Sequence, residues 1–462
     1  MARNRPRPAA NDHTRGVRVH FSWLLILSAV LFVLSRVYIL LVLEPQITDV
    51  ENTYFAYAIR AYDAHLAPYT EQLPIEYPPI AWWLMYVPRW LDSQHIIEPS
   101  QLDPALKEYS QAFRGLMFLW DLGSAALLIC IVNKRRPELL GWAALTYTVT
   151  TTILCHLLYD RLDTALLTLI LSWAVCWLCS LESPNRAKVW SAAGYAILGL
   201  SIGFKLIPVI CVPFLVLADW RGPQRTARLF VGLAALAVAT GLPFLIQYAI
   251  SGPGVFALLK YHGERRIQIE SLYSTFMMIG SLFGYPIFVV KSHAAFDLEG
   301  RLANLMAALS NVLMYGFLAG TWLWAFFRRA RYRGAEAYRT FCFVLGGAVI
   351  FSKVLSPQYF LWAIPVMLLL AVDVLPRGNI SFWGLAALLV ATAVLTTWLF
   401  PFHYRNGPGH PGLLPIDSPD PSILLPAPCI VLGIRNLIYL GIVLWLSWAL
   451  FHRSGRPDTD NG

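Results

Sequence analysis

Two carboxylates separated by one residue, Asp49 and Glu51, follow directly on the first long apolar block of the chain. A carboxylate so placed can take the proton of a hydroxyl as its oxygen attacks a carbon centre. Two of them this close can instead hold a divalent ion shared with a phosphate. Asp49 also reads as the N-cap of an amphipathic surface helix over ENTYFAYAIRAY, so local folding alone can place an acid there. Glu76 and Tyr77 open a second element, EYPP, whose prolines fix extended backbone ahead of an apolar stretch. Glu76 suits a sugar or cation ligand as well as a tie to an arginine.

Further polar groups stand in separate short segments. HLLYDRLD carries His156, Asp160, Arg161 and Asp163, and FKLIP carries Lys205. YHGERRIQIES carries His262, Arg265, Arg266 and Glu270. SKVLSPQY carries Lys353, Gln358 and Tyr359, and PFHYRN carries His403 and Tyr404. Lys205, Lys353, Arg265, Arg266 and His262 are the groups suited to gripping a phosphate, for which arginine forks and lysine point charges both serve. Charges at helix ends are also ordinary interfacial anchors, and part of GERRIQIES can be a solvated face. What speaks for a site is that so many segments bring such residues to one side of the chain's topology.

The scaffold that must position them is a membrane one. Of 462 residues, 57% are hydrophobic and 14% charged, with a mean hydropathy of +0.55, whereas soluble domains carry about a quarter charged residues. Apolar blocks of bilayer-crossing length recur throughout, and a span needs roughly 20 residues. The expected fold is an all-α polytopic transmembrane helical bundle of about twelve spans with a large first extracytoplasmic loop, which excludes a water-soluble protein. The formal charge of +9 is then read as lysines and arginines gathered in cytoplasmic loops, with no nucleic-acid partner. Cys176 and Cys179 form one CxxC inside a span; without a second pair the seven cysteines are packing residues. The first apolar block, 21–43, is too long for a cleavable signal peptide.

Residues 1–20 are expected as a basic, disordered cytoplasmic tail, 21–452 as a single integral membrane domain, and 453–462 as a second cytoplasmic tail. The first outer loop is 45–110 and includes IAWWLMYVPRWL, a short Trp-rich piece suited to the membrane interface. The second is 251–301, with its apolar part, 272–290, re-entrant or interfacial. Two blocks, 189–217 and 341–372, are too long for one straight span. They break at FKLIP and SKVLSP, with Lys205 and Lys353 at the outer tips and Pro208 and Pro357 opening the descending helices. Inner loops are marked by Lys134, Arg135 and Arg136, by Arg186 and Lys188, by Arg221, Arg225 and Arg228, and by the arginine run from Arg328 to Arg339. Arg36, Asp121 and Arg435 fall within spans, where an Arg–Asp tie between helices is the simplest reading.

The order TDVE-x-x-Y, PYxxxLPIEYPP, YDRLD, GFKLIPV, YHGERRIQIES, KVLSPQY resembles the bacterial polyprenol-phosphate-sugar-dependent glycosyltransferases of the GT-C superfamily. The nearest branch is that of the actinobacterial α-mannosyltransferases, and the likeness spans nearly the whole chain. It implies a hexose, mannose in particular, carried on a polyprenyl phosphate, and a lipid or glycan acceptor. It further implies a multi-pass protein of the cell membrane with an extracytoplasmic active site. The catalytic carboxylate of the first outer loop falls on Asp49. The basic residues about the donor phosphate fall on Lys205, Lys353, and His262 with Arg265 or Arg266. Glu51, Glu76, Tyr77, Asp160, Arg161, Glu270, Gln358, Tyr359 and His403 complete the expected substrate-binding set. Several superfamily members carry D-x-D in this loop where this chain has Glu51 in third place, so no metal and no other cofactor is expected. The rival reading is a transporter or flippase of a lipid-linked sugar, since discontinuous helices line transport sites. Polar residues gathered at one surface, away from the midplane, speak against it.

Overall fold

The protein, seen here in a computed structural model, is described over residues 23–44, 48–92, 97–220, 225–292, 295–328, 332, 334–376, 379–403 and 426–453. The first tail and residues 454–462 of the second, with Arg221, Arg329, Arg331, Arg333 and Tyr404, lie outside the described residues, while Arg453 ends the last helix.

Among the described residues, twelve helices fall in the expected apolar blocks: α1 (Trp23–Leu41), α2 (Leu102–Arg135), α3 (Leu140–Ile153), α4 (Asp163–Glu182), α5 (Ala187–Phe204), α6 (Val212–Trp220), α7 (Arg225–Ser251), α8 (Arg301–Phe327), α9 (Gly334–Phe351), α10 (Phe360–Val374), α11 (Asn379–Thr397) and α12 (Pro426–Arg453). Ten of these, among the described residues, are long and apolar enough to cross a membrane, which makes this a multi-pass membrane protein. The other two, α3 at 14 residues and α6 at 9, are shorter. α10 is buried along its entire length, as a helix apolar all round must be, and sits at the centre of the bundle. α1, α7 and α8 leave most of their Leu, Val and Phe side chains exposed, as lipid-facing helices do.

Charges inside the bundle are paired. Arg36 on α1 donates from Nε to Asp121 of α2 at 2.9 Å, and Tyr147 and Tyr159 add hydroxyls to the same carboxylate at 2.5 and 2.8 Å. This is the interhelical tie expected of Arg36. Arg435 on α12 ties instead to Glu270, at 2.5 Å. At the opposite end of the bundle from the loops described next, Arg135 and Arg339 share the carboxylate of Asp373.

Two loop regions cover one end of the bundle. In the first, a π-helical turn (Val50–Tyr54) leads into a short helix (Phe55–Tyr62), and Pro78, extended at φ −60° and ψ 159°, opens a second helix (Pro79–Leu91). A small apolar cluster of Tyr69, Leu73, Ile75, Trp82, Val255 and Leu258 clamps this loop to the second one. Gly254 is needed there, because any Cβ would collide with the carbonyl of Tyr69.

The second loop departs from the all-α expectation. After a short helix (Ala257–Glu264) it forms β1 (Ile267–Gln268), then a helix (Leu272–Ser281), β2 (Phe288–Ser292) and β3 (Ala295–Glu299). The three strands pair antiparallel in the order β1-β3-β2, with Ile267 and Val289 both opposite Leu298. The apolar piece 272–290 is therefore a helix over its first half, then a connecting turn, and it enters β2 only at its last three residues. Its helix is capped by Ser271, whose hydroxyl accepts from the Ser274 amide at 3.0 Å. β1 is two residues long and β2 and β3 five each, too short for alternation to be told from an interfacial run.

Candidate active site

Thr48 builds the first wall. Its hydroxyl donates to Asp160 at 2.9 Å and accepts from the Val50 amide at 3.0 Å, which pins the backbone on both sides of Asp49. Asp49 makes no helix cap with its side chain. Its carboxylate is ion-paired with Arg161, and remains about 30% exposed while Arg161 is 5% exposed. The Arg161 guanidinium lies 5.6 Å from the ring centre of Phe400.

The segment YDRLD sends each polar side chain to a different partner. Tyr159 reaches Asp121, Asp160 reaches Thr48 and Arg114, Arg161 reaches Asp49, and Asp163 reaches Lys205 and Trp362. Asp160 thus stands behind the wall: burial pushes its carboxyl up, opposed by the Arg114 guanidinium and the Thr48 hydroxyl.

α5 ends at Phe204 because Lys205 is extended (φ −152°, ψ 125°) and Pro208 starts the next turn. Lys205 then extends its ammonium to Asp163 Oδ1 at 2.6 Å, with the ring centre of Tyr359 at 4.5 Å. Tyr359 belongs to the other broken block, where α9 stops at Phe351 and a turn at Pro357–Tyr359 precedes α10.

Glu76 forms the opposite wall with the second loop. It accepts a hydrogen bond from the Tyr261 hydroxyl and feels the charge of Arg265. Burial still dominates and holds its carboxyl above the usual range.

These walls enclose a cavity of about 850 Å³, within the range of small-molecule sites. Asp49, Glu51, Glu76 and Tyr77 line it from the first loop; Arg161, Lys205, His262 and Arg265 add basic groups, and Gln358 and Tyr359 close it. The other expected residues lie elsewhere. Asp160 supports the wall without lining it. Arg266 pairs with Glu299 at 2.8 Å on the surface. Glu270 is wholly buried against Arg435 and Asn436, far too enclosed to meet a substrate. Lys353 donates to the Gly263 carbonyl at 3.2 Å, outside the cavity lining. Burial and the neighbouring Arg265 pull its ammonium below the usual lysine range, with Asp297 opposing. His403 stacks on Trp398 and its Nδ1 meets the Trp398 carbonyl at 2.7 Å.

Sequence reasoning passed over Tyr261, Phe400 and, as a site residue, Asp163. Tyr261 adjoins His262 in YHGERR, and Asp163 closes YDRLD, so both had a signal in their neighbours. Phe400 sits in an apolar run and had none.

No family model matches the chain, and no curated protein does. Among solved structures, ArnT from Cupriavidus metallidurans bound to undecaprenyl phosphate is similar over 93% of this chain and 77% of its own, at 15% identity and a TM-score of 0.48. The same protein in the apo state is similar over 92% of this chain and 76% of its own, at 17% identity and a TM-score of 0.47.

Proposed function

We propose that the chain is a GT-C-type membrane glycosyltransferase acting at the extracytoplasmic end of its bundle. It would move a hexose, mannose in the first instance, from a polyprenyl-phosphate carrier to a hydroxyl of a lipid or glycan acceptor. The observation that carries this reading is one cavity in which a part-exposed acid, Asp49, faces basic residues drawn from two other regions, Lys205 and Arg265.

In this reading Asp49 takes the proton of the acceptor hydroxyl as its oxygen bonds to the anomeric carbon. The bond from that carbon to the phosphate oxygen breaks, the configuration inverts, and polyprenyl phosphate leaves. Arg161 holds the Asp49 carboxylate in place, while Lys205 and Arg265 stabilise the charge that grows on the departing phosphate. The rings of Tyr77, Tyr261 and Tyr359 offer flat apolar faces and hydroxyls to a sugar.

The two broken helix pairs, α5–α6 and α9–α10, favour a second reading, passage of an intact lipid-linked sugar. Incubating the purified protein with polyprenyl-phosphate mannose and total membrane lipid separates the two. Free polyprenyl phosphate together with a new mannolipid is the expected result; recovery of intact donor, moved across a vesicle bilayer, would reject the transferase.

A further inference from the structure

The cations aimed into the cavity are opposed by carboxylates: Arg161 pairs with Asp49 and Lys205 with Asp163, while Arg265 feels the charge of Glu76. With Glu51 also lining it, the cavity carries no surplus of positive charge, which is unusual for a place meant to hold a phosphate. Asp163 is the member of this set built most firmly. It is the first residue of α4, where the helix terminus favours an anion. Its side chain is 4% exposed, and Oδ1 accepts from both the Lys205 ammonium at 2.6 Å and the buried Trp362 indole at 2.9 Å. Trp362 lies on α10, so one carboxylate joins α4, the end of α5 and the first turn of α10. Lys205, 26% exposed, stands between that carboxylate and the open space. An ammonium has three N–H donors; with one given to Asp163, the others remain for a ligand.

The two phosphates such a site must handle differ in charge. A sugar-linked phosphodiester carries one negative charge, whereas the phosphomonoester it leaves behind carries between one and two near neutral pH. An unopposed lysine would therefore grip the product more tightly than the donor. We propose that Asp163 is a positioning residue that acts through Lys205: it holds the ammonium at the wall and offsets its charge, so that the monoester product leaves. This rests on the reading of Lys205 as a phosphate-binding group.

The test is binding of two probes, farnesyl phosphate and farnesyl-phosphate mannose, to the purified full-length protein in nanodiscs. Asp163→Asn keeps an oxygen for Lys205 and Trp362 while removing the charge. It should tighten farnesyl phosphate about tenfold, with a smaller gain for the diester, and the gain should shrink in high salt. Adding Lys205→Met to Asp163→Asn should abolish the gain. Trp362→Phe, which leaves both charges, should stay within about threefold of wild type. Unchanged or weaker monoester binding by a folded Asp163→Asn protein overturns the inference, as does a gain that survives the loss of Lys205. If Asp163→Asn does not fold, Lys205→Met alone reads the same question: it leaves the Asp163 charge unopposed, so it should weaken farnesyl phosphate more than farnesyl-phosphate mannose, and an equal or smaller loss for the monoester overturns the inference. Wild type that ignores farnesyl phosphate, or Lys205→Ala that binds it like wild type, overturns the reading of the site and the inference with it.

Discussion

Lys205 and Lys353 occupy equivalent places in sequence, each at the break of an over-long apolar block and three to four residues before a proline. In space they part company. Lys205 projects into the cavity between Asp163 and the Tyr359 ring. Lys353 turns away to the Gly263 carbonyl, and its segment contributes Gln358 and Tyr359 to the cavity instead. A broken helix therefore delivers a polar tip without deciding which residue of the tip reaches the site. The surroundings decide: Asp163 waits opposite Lys205, whereas burial and, after it, the like charge of Arg265 disfavour the Lys353 ammonium.

This contrast can be broken by direct substitution. Lys205→Ala should cost the most. It removes a cation and strands the Asp163 carboxylate, so farnesyl phosphate affinity should fall by about 2–3 kcal/mol, the lower part of the range for truncating one member of a buried charge pair. A calorimetric titration giving wild-type affinity would erase the distinction between the tips. Tyr359→Leu should follow, losing about 0.5–2 kcal/mol of affinity with the ring beside the ammonium; no change would mean that the ring does not hold Lys205. Lys353→Ala should change affinity by less than about 0.5 kcal/mol, as surface-type substitutions do. A tenfold loss there would restore the symmetry that the two sequences suggest.

The smallest effect concerns Glu76 and stability. Burial raises its folded-state carboxyl above the unfolded value, so the folded protein holds this proton more tightly than the unfolded chain does. Its contribution to stability is then full below the unfolded carboxyl range and is lost as pH rises through the raised folded value. Glu76→Gln should accordingly flatten the decline in melting temperature across that window, and should stabilise the protein slightly at neutral pH. A parallel melting curve for wild type and variant would show that Glu76 does not titrate in this way.

The same two tips mark how far sequence reading reaches. Blocks too long for one span, interrupted by Lys and then Pro, announce broken helices, because backbone geometry there is a local matter. An Arg–Asp tie was legible for a similar reason: an arginine at membrane depth needs a carboxylate, and Asp121 lies only a little deeper in the next span; the structure gives it to Arg36. Glu270 was not legible as a core residue. Its partner Arg435 lies 165 positions away, and in the sequence GERRIQIES looks like one polar run. Around the short strand Ile267–Gln268, Arg265 goes to the cavity and Arg266 to the surface before it, and Glu270 to the core after it. Such sorting follows from the pairing of β1 with β3, a long-range event.

The most direct measurement is release of farnesyl phosphate from farnesyl-phosphate mannose by Asp49→Asn protein, with total membrane lipid as acceptor and farnesyl phosphate binding measured in parallel. The expected result is turnover lowered about 10²- to 10⁴-fold, the range for losing a general base, with binding kept within about threefold of wild type. Turnover at the wild-type rate would contradict the role of Asp49, and with it the reading of this cavity as the place where the glycosidic bond is exchanged.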